Sequence, residues 1–350
     1  MVLLQNYANF SALSESVKGR RWLQKASFLG IIMGSIRYAV AGDPIEMSLS
    51  PLLFHLVSEH IGLKNATPPS IVPASTIENA LAWGYAGVTP EEIEWYHTDA
   101  PLSKFRSKTL IEKAIQSVSE IESLPSSLAP KYRLNSQVLV GDHRQLHYFE
   151  DEEIWMNLTT PLKHQLQTMA VTNVDDSASF QSVNSLRWDG QGWWCMSTDG
   201  VGMTTVILHR GIPSASCVGV IGGGSAARSF AHAWIKQGGQ IHFIGGKREF
   251  DTDKIDLSSS HPEAIAVFEP HDFTLEPVPT FHAQYDVHID LDLVLEPTDA
   301  HYDGRWLLVA QHLLAWEFLW APHHSADLPS VELLLKQLIE CEKVLRSFKR

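Results

Sequence analysis

The apolar positions of this chain change period several times, and each change marks an element. Residues 37–41, within "IRYAVAG", are largely apolar after Arg37 and predict a buried strand. Residues 51–62 switch to a helical period, with Leu52, Leu53, Leu56, Val57 and Ile61 near one face. From 63 to 150 the pattern is broken by Pro68, Pro69, Pro73 and Pro90; within it "EEIEWYH" and "KTLIEKAIQSVSEIESL" look helical and "SQVLVGD" looks like a strand. "EIWMNLTTPLKHQLQTMAV" predicts strand, turn and helix, with Pro161 opening the helix. "VNSLRWDGQGWWCMSTDG" predicts a hairpin turning at Asp189-Gly190, a type I′ pair, before a helix over 201–209.

The clearest unit is "SCVGVIGGGSAARSFAHAWIKQGGQIHFIGG": apolar strand, glycine turn, helix with small residues at its start, Gly-Gly stop, second apolar strand. That is a β-α-β unit of the dinucleotide-binding kind. Gly222 makes the tight turn, Gly224 lets the backbone approach a pyrophosphate over the helix start at Ser225 and Ala226, and Ala227 takes the close-packing position. The alternative is a glycine turn of an α/β core with no ligand. Further on, "YDVHIDL" and "DLVLEP" read as strands, "GRWLLVAQHLLAWEFLWA" as a long helix and "SVELLLKQLIECEKVLRSF" as a last one. Gln311 is a polar residue on that largely apolar long helix, so it is either satisfied in the core or aimed at a ligand.

Composition narrows the class. A net charge of −13 argues against a nucleic-acid partner, because phosphate backbones call for a basic surface. Three widely spaced cysteines, Cys195, Cys217 and Cys341, suit reduced thiols in a cytoplasm. The 17 histidines fall in no HExxH-type spacing, so no metal site is expected. "KGRRWLQK" followed by "ASFLGIIMGS" imitates a signal peptide, but Arg37 interrupts the apolar part. No apolar run approaches the roughly 20 residues of a membrane span. The expectation is a soluble protein whose residues 1–36 are an N-terminal extension, with Met33 as an alternative start.

Polar residues at turns and strand ends supply the candidate chemistry. Ser48 and Ser50 sit in one short turn, "GDPIEMSLSP"; the plain reading makes Ser50 an N-cap and Pro51 the first helical residue, while a pair of hydroxyl donors also suits a carboxylate. "NLTTPLK" ends in Lys163, "SVNS" holds Asn184 and "STDGVG" holds Asp199. Singly these are a solvated lysine, a hairpin residue and a turn former. Together with a dinucleotide turn they make a dehydrogenase constellation, since a lysine beside an aspartate can pass protons to and from an alcohol or ketone oxygen. After the second strand of the β-α-β unit come Gly245 and Gly246, then Lys247 and Arg248, where an NAD site would place an acid; this predicts NADP, with Lys247 or Arg248 on the 2′-phosphate and Glu249 opposing.

In that order, "GDPIEMSLSP", "NLTTPLK", "SVNS", "STDGVG", "GGGSAARSFA" and "AQHLLAWEFLW" make residues 37–320 resemble the shikimate dehydrogenase family, including its quinate-using relatives. The resemblance implies an α/β fold of two domains: a substrate domain at 37–205 with an insertion at about 65–150, a shortened Rossmann-like NADP domain at 206–303, and helices 304–350 returning to the first. It implies Lys163 and Asp199 as the catalytic pair, Ser48 and Ser50 on the substrate carboxylate, and Thr159, Asn184 and Gln311 on ring hydroxyls. The expected reaction is NADPH-dependent reduction of 3-dehydroshikimate to shikimate, in the cytoplasm, by a protein with a small-molecule substrate, a homodimer as candidate assembly and neither membrane nor nucleic-acid partner. The alternatives are a dehydrogenase of quinate or another cyclic polyol acid, and a ligand-binding paralogue without turnover. The sequence departs from the family at Ser197, where an asparagine is usual, at Ser225, in place of a glycine, and at Leu295, in "DLVLEP", in place of a tyrosine. Of the segment that normally lies by the nicotinamide, "VFEPHDF" is the nearest candidate.

Overall fold

β1 (Ile36–Gly42) is buried along its whole length, and that burial explains its apolar run: it is an interior strand with neighbours on both edges. The computed structural model describes residues 35–86 except 46 and 68, 114–116, 118, 152–166, 171–190, 192–250, 255, 257–272, 277–297 and 300–347. The expected extension before 35, "EEIEWYH" and "SQVLVGD" lie outside the described residues, as does most of "KTLIEKAIQSVSEIESL", of which Ala114 and Val118 are buried in the main core.

The first sheet runs β2-β1-β3-β5-β6-β4. β2 (Ser70–Pro73) and β3 (Glu153–Leu158) flank β1 in parallel; β5 (Ser185–Trp188) and β6 (Trp193–Met196) continue antiparallel, and β4 (Thr172–Asn173) closes the far edge. β2, and α2 (Ile77–Ala86) after it, thus give the beginning of the stretch expected as an insertion a place in the sheet and its core. The β5–β6 hairpin closes one residue beyond the expected Asp-Gly centre. Asp189 N–H donates to Gly192 O at 3.3 Å, and the Asp189 carboxylate accepts from Gly192 N–H at 2.9 Å and the Trp194 indole at 2.7 Å.

The second sheet is wholly parallel, β11-β10-β9-β7-β8. It comprises β7 (Cys217–Ile221), β8 (Gln240–Gly245), β9 (Ala264–Val267), β10 (Thr280–His282) and β11 (His301–Tyr302). Beyond β8, among the described residues, one parallel bridge, Ile241 to Leu257, stands where a doubly wound sheet would have its outer strand. The Rossmann order is retained in the five strands. α5 (Ser225–Lys236) follows the glycine turn as expected, burying Ala227, Phe230, Ala231 and Trp234.

The two runs expected as strands, "YDVHIDL" and "DLVLEP", form none. Their alternation is overridden locally: the Asp290 carboxylate accepts from Asp292 N–H at 3.1 Å and starts the short helix α6 (Leu291–Leu295). The Arg346 guanidinium, from the last helix, donates to the carbonyls of Val287 and Ile289 at 3.1 and 3.0 Å, which uses groups a sheet would need.

α4 (Asp199–His209) links the sheets. The long C-terminal helix divides into α7 (Arg305–Ala315) and a wide π turn at Trp316–Trp320, followed by α8 (Val331–Ser347). Both helices pack on α1 (Ser50–His60), and the π turn packs on β5 and β6 of the first sheet. Their aromatic face makes the core: Phe54 stacks on Tyr38 at 4.1 Å and on Trp316 at 5.4 Å, and Trp155 stacks on Trp320 at 5.9 Å. Arg305, fully buried, ties α7 to α8 through a two-pronged pair with Glu342 at 2.7 and 3.0 Å. Among the described residues no helix is long and apolar enough to cross a membrane.

Candidate active site

The parallel strands β1 and β3 end side by side, so the turns that follow them meet. Thr159 N–H donates to Ala41 O and Asp43 N–H to Thr160 O, both at 2.9 Å. Gly42 has no side chain because the Thr159 methyl and the Thr160 carbonyl fill that space. Pro161 opens only a short 3-10 turn, Leu162–His164, rather than the expected longer helix. Val183 N–H donates to Lys163 O at 2.8 Å and fixes that turn against the strand carrying Asn184.

Lys163 and Asp199 lie 36 residues apart in sequence, and their side chains meet: Nζ to Oδ2 is 2.6 Å. Asp199 is buried, while the lysine side chain keeps 18% of its surface, so Lys163 is the more accessible member of the pair. Asn184 holds the other carboxylate oxygen. Its Nδ2 donates to Asp199 Oδ1 at 3.0 Å and to Thr198 Oγ1 at 2.8 Å, and its Oδ1 accepts from Thr198 N–H at 2.6 Å. Both amide protons are thereby used. Asn184, expected on a substrate hydroxyl, stands beside Asp199 and orients it.

Behind Asn184 lies a chain of buried polar groups that the sequence reading missed. Asn157 donates to Asn184 O and Ser185 Oγ, both at 3.3 Å, and accepts from Tyr38 OH at 2.6 Å. Tyr38 also bonds the Ser50 hydroxyl; burial raises the phenol well above its ordinary range, and the serine bond only partly offsets that. The signal available in the sequence was a polar residue in each of two fully buried strands, Tyr38 in β1 and Asn157 in β3.

Ser50 is not an N-cap. It is the first residue of α1, and its N–H donates to Ser48 Oγ at 3.3 Å, so Ser48 does the capping. Tyr285, just after β10 in the second sheet, donates its hydroxyl to Met47 O and so fastens the serine turn from across the cleft. Burial raises the Tyr285 phenol, which keeps it a donor. This tyrosine, not Leu295, is the aromatic residue at the turn; Leu295 is in α6, packed on the main core. Gln311 lies against the start of α4: a Cβ on Gly202 would stand 3.1 Å from Gln311 Cβ and from its backbone nitrogen. One residue after Asp199, Gly200 touches the Ser229 backbone of α5, and the Ser229 hydroxyl takes Gly200 N–H at 3.0 Å and pairs with Ser197 Oγ at 2.8 Å. Ser197 therefore has a partner of matching size in the second domain.

The glycine turn fits a dinucleotide at its phosphate end. Gly222 has φ +108°, open to glycine at little cost, and nothing stands within 4 Å of where a Gly224 side chain would be. Gly224, Ser225 and Ala226 remain partly accessible at the start of α5. The chain after β8 folds back until the Arg248 carbonyl fills the space a Gly223 side chain would need, which brings exposed Lys247 and Arg248 beside the turn. The described part of "VFEPHDF", residues 267–272, leaves β9 at the carboxyl edge of the same sheet, with Phe268 against Phe230 at 5.7 Å.

No family model matches the chain. It is 26% identical over 160 residues to the shikimate dehydrogenase (NADP(+)) of Methylibium petroleiphilum, covering 45% of this chain and 51% of that protein. It is 26% identical over 182 residues to the enzyme of the same name from Alteromonas mediterranea, covering 49% and 62%. The chain thus spans about half the length of the curated relatives it matches. In three dimensions, the shikimate dehydrogenase structure from Aquifex aeolicus matches with TM-score 0.52 at 16% identity, over 87% of this chain and 97% of that one. The chain is a divergent relative of the shikimate dehydrogenases. The structure of the Thermus thermophilus shikimate dehydrogenase in complex with NADP(H) and shikimate matches equally broadly, with TM-score 0.51 at 16% identity over 87% and 99%. The mixed first sheet and parallel second sheet are those of the shikimate dehydrogenase fold.

Proposed function

We propose that this chain is an NADP-dependent oxidoreductase of the shikimate dehydrogenase type, interconverting 3-dehydroshikimate and shikimate as a step toward chorismate and the aromatic amino acids. The Lys163–Asp199 pair carries the reading, because the fold brings a partly accessible lysine and a buried carboxylate to 2.6 Å between a serine turn and a glycine turn. NADP, when bound over Gly222, Gly224, Ser225 and Ala226, supplies or accepts the hydride, and Lys247 and Arg248 meet its 2′-phosphate.

The chain's own residues handle the rest. Lys163 Nζ has protons to spare beyond the one given to Asp199; it polarises the ketone oxygen and protonates it as hydride arrives, and takes the proton back in the reverse direction. Asp199 holds the ammonium in place and offsets its charge, and Asn184 fixes the carboxylate. Ser48 and Ser50 hydroxyls receive the substrate carboxylate, with Tyr285 holding their turn. Thr159, Gln311 and Asn184 serve the ring hydroxyls. A cytoplasmic location goes with this reading, since all three cysteines are free and buried. An initial-rate assay with shikimate and NADP, run beside quinate, tests the function. Reduction of NADP by shikimate is expected; no reduction, with no thermal shift on adding shikimate, would sink it.

A further inference from the structure

In dinucleotide sites the end of the strand after the glycine-turn helix ordinarily presents the group that reads the adenosine ribose. In this chain no side chain can stand there. The register of β8 slips by one residue, so Ile221 pairs with Gly245, and Gly222 N–H donates to Gly245 O at 2.8 Å. A side chain on Gly246 would start 2.8 Å from Gly222 Cα. The strand end is glycine against glycine.

A carboxylate reaches the same place from another direction. Glu269 follows β9, on the opposite side of β7 from β8. Its side chain crosses over the end of β7: Cγ lies 3.2 Å from where a Gly222 Cβ would be, and Oε1 lies 2.6 Å from where a Gly246 Cβ would be. Oε1 accepts from Lys247 N–H, which anchors the carboxylate at the β8 end. Among the described residues Oε2 has no partner, and the residue is partly accessible.

We propose that Glu269 is a specificity-determining residue: its carboxylate accepts from the adenosine ribose hydroxyls, so the site takes the unphosphorylated dinucleotide NAD alongside NADP. The proposal rests on the dinucleotide-binding part of the reading above. Two chemistries then face one ribose. Lys247 and Arg248 favour a 2′-phosphate, whereas the Glu269 carboxylate repels that phosphate and rewards free hydroxyls. The sequence shows the basic pair in its usual place and hides the acid, which comes from a strand not adjacent to β8.

Equilibrium binding of NAD and NADP to the full chain, measured by calorimetry without substrate, tests this. The parent protein should bind both. Glu269→Gln keeps an acceptor for Lys247 N–H but loses the charge, and should move the NAD-to-NADP affinity ratio toward NADP by about tenfold or more. Glu269→Asp, which cannot reach as far, should move it the same way, and Lys247→Ala the opposite way. An unchanged ratio in both Glu269 variants, with both dinucleotides still bound, overturns the assignment and leaves the dehydrogenase reading intact. A parent protein that binds NADP and not NAD also overturns it. If neither binds, both readings fall. A moved ratio in a protein that never turns over shikimate supports Glu269 and sinks the substrate assignment alone.

Discussion

The carboxyl edges of the two sheets are built on opposite plans. On the first, side chains crowd together and hold one another: Tyr38, Asn157, Asn184, Thr198, Asp199 and Lys163 form a continuous hydrogen-bonded line. On the second, Gly222, Gly223, Gly224, Gly245 and Gly246 bring no side chains of their own, and Glu269 reaches over two of them. Proton transfer gains from donors and carboxylates already fixed in a dry place, where no reorganisation is needed. A long flat cofactor needs backbone N–H groups and room. One edge is specified by what is present and the other by what is missing.

The contrast breaks most visibly at Lys163. Lys163→Ala should cost roughly 10²–10⁴ in turnover, as for a positioned acid–base group. Asp199→Asn should cost a comparable factor and the double variant little more, because the two act as a unit. Parent-rate turnover of shikimate by the Lys163→Ala protein would mean that the crowded edge is structural only.

Next comes the serine turn. Ser48→Ala with Ser50→Ala should raise the Michaelis constant for shikimate by at least about tenfold, the worth of a hydrogen bond to a charged group. Because Ser50 also bonds buried Tyr38, the double variant should lose some thermal stability, and Ser48→Ala alone is the cleaner probe of affinity. A melting point that falls while substrate affinity stays put would make both serines structural, Ser48 at the start of α1 and Ser50 on Tyr38.

A smaller effect is expected where the two edges touch. Tyr285→Phe removes the hydroxyl that the second sheet lends to Met47 in the first, and should raise the Michaelis constant about fivefold with turnover preserved. A change in turnover alone would place Tyr285 elsewhere in the cycle.

The smallest effect concerns the core behind the first edge. His312 is buried among Tyr38, Trp316 and Trp320, and burial lowers its pKa to about 3 from an ordinary 6.5. The folded protein therefore binds fewer protons there than the unfolded chain, so stability contributed at this site falls as pH drops from about 6.5 toward about 3. His312→Phe should flatten that window and move the acid-unfolding midpoint downward in a circular-dichroism titration; an unmoved midpoint would assign acid lability to another group.

The sheets were legible in the sequence where burial and period agreed. β1, β7, α5 and the helices of the C-terminal part follow directly from their apolar positions, and Lys163, Asp199 and the glycine turn were visible as polar or glycine residues at element ends. Residues 285–297 were misread because Val287, Ile289, Leu291 and Leu293 alternate like a strand, while the Asp290 cap and the Arg346 guanidinium, far off in sequence, decide otherwise. Asn184 was seen but its bonds to Asp199 and Thr198 were not, since no local spacing records which side chains an amide meets. Glu269 and Tyr285 were hidden for a related reason: their reach crosses from one strand or sheet to another, and no local spacing records that.

The contact between Gly200 and Ser229 joins the two halves of the molecule. Backbone meets backbone there, with no side chain on Gly200 to yield and two serine hydroxyls pinning the joint. Asp199 is one residue from that joint. The carboxylate that grips Lys163 is therefore seated on both halves of the molecule at once: Asn184 steadies it from the first, and the Ser229 clasp on Gly200 from the second.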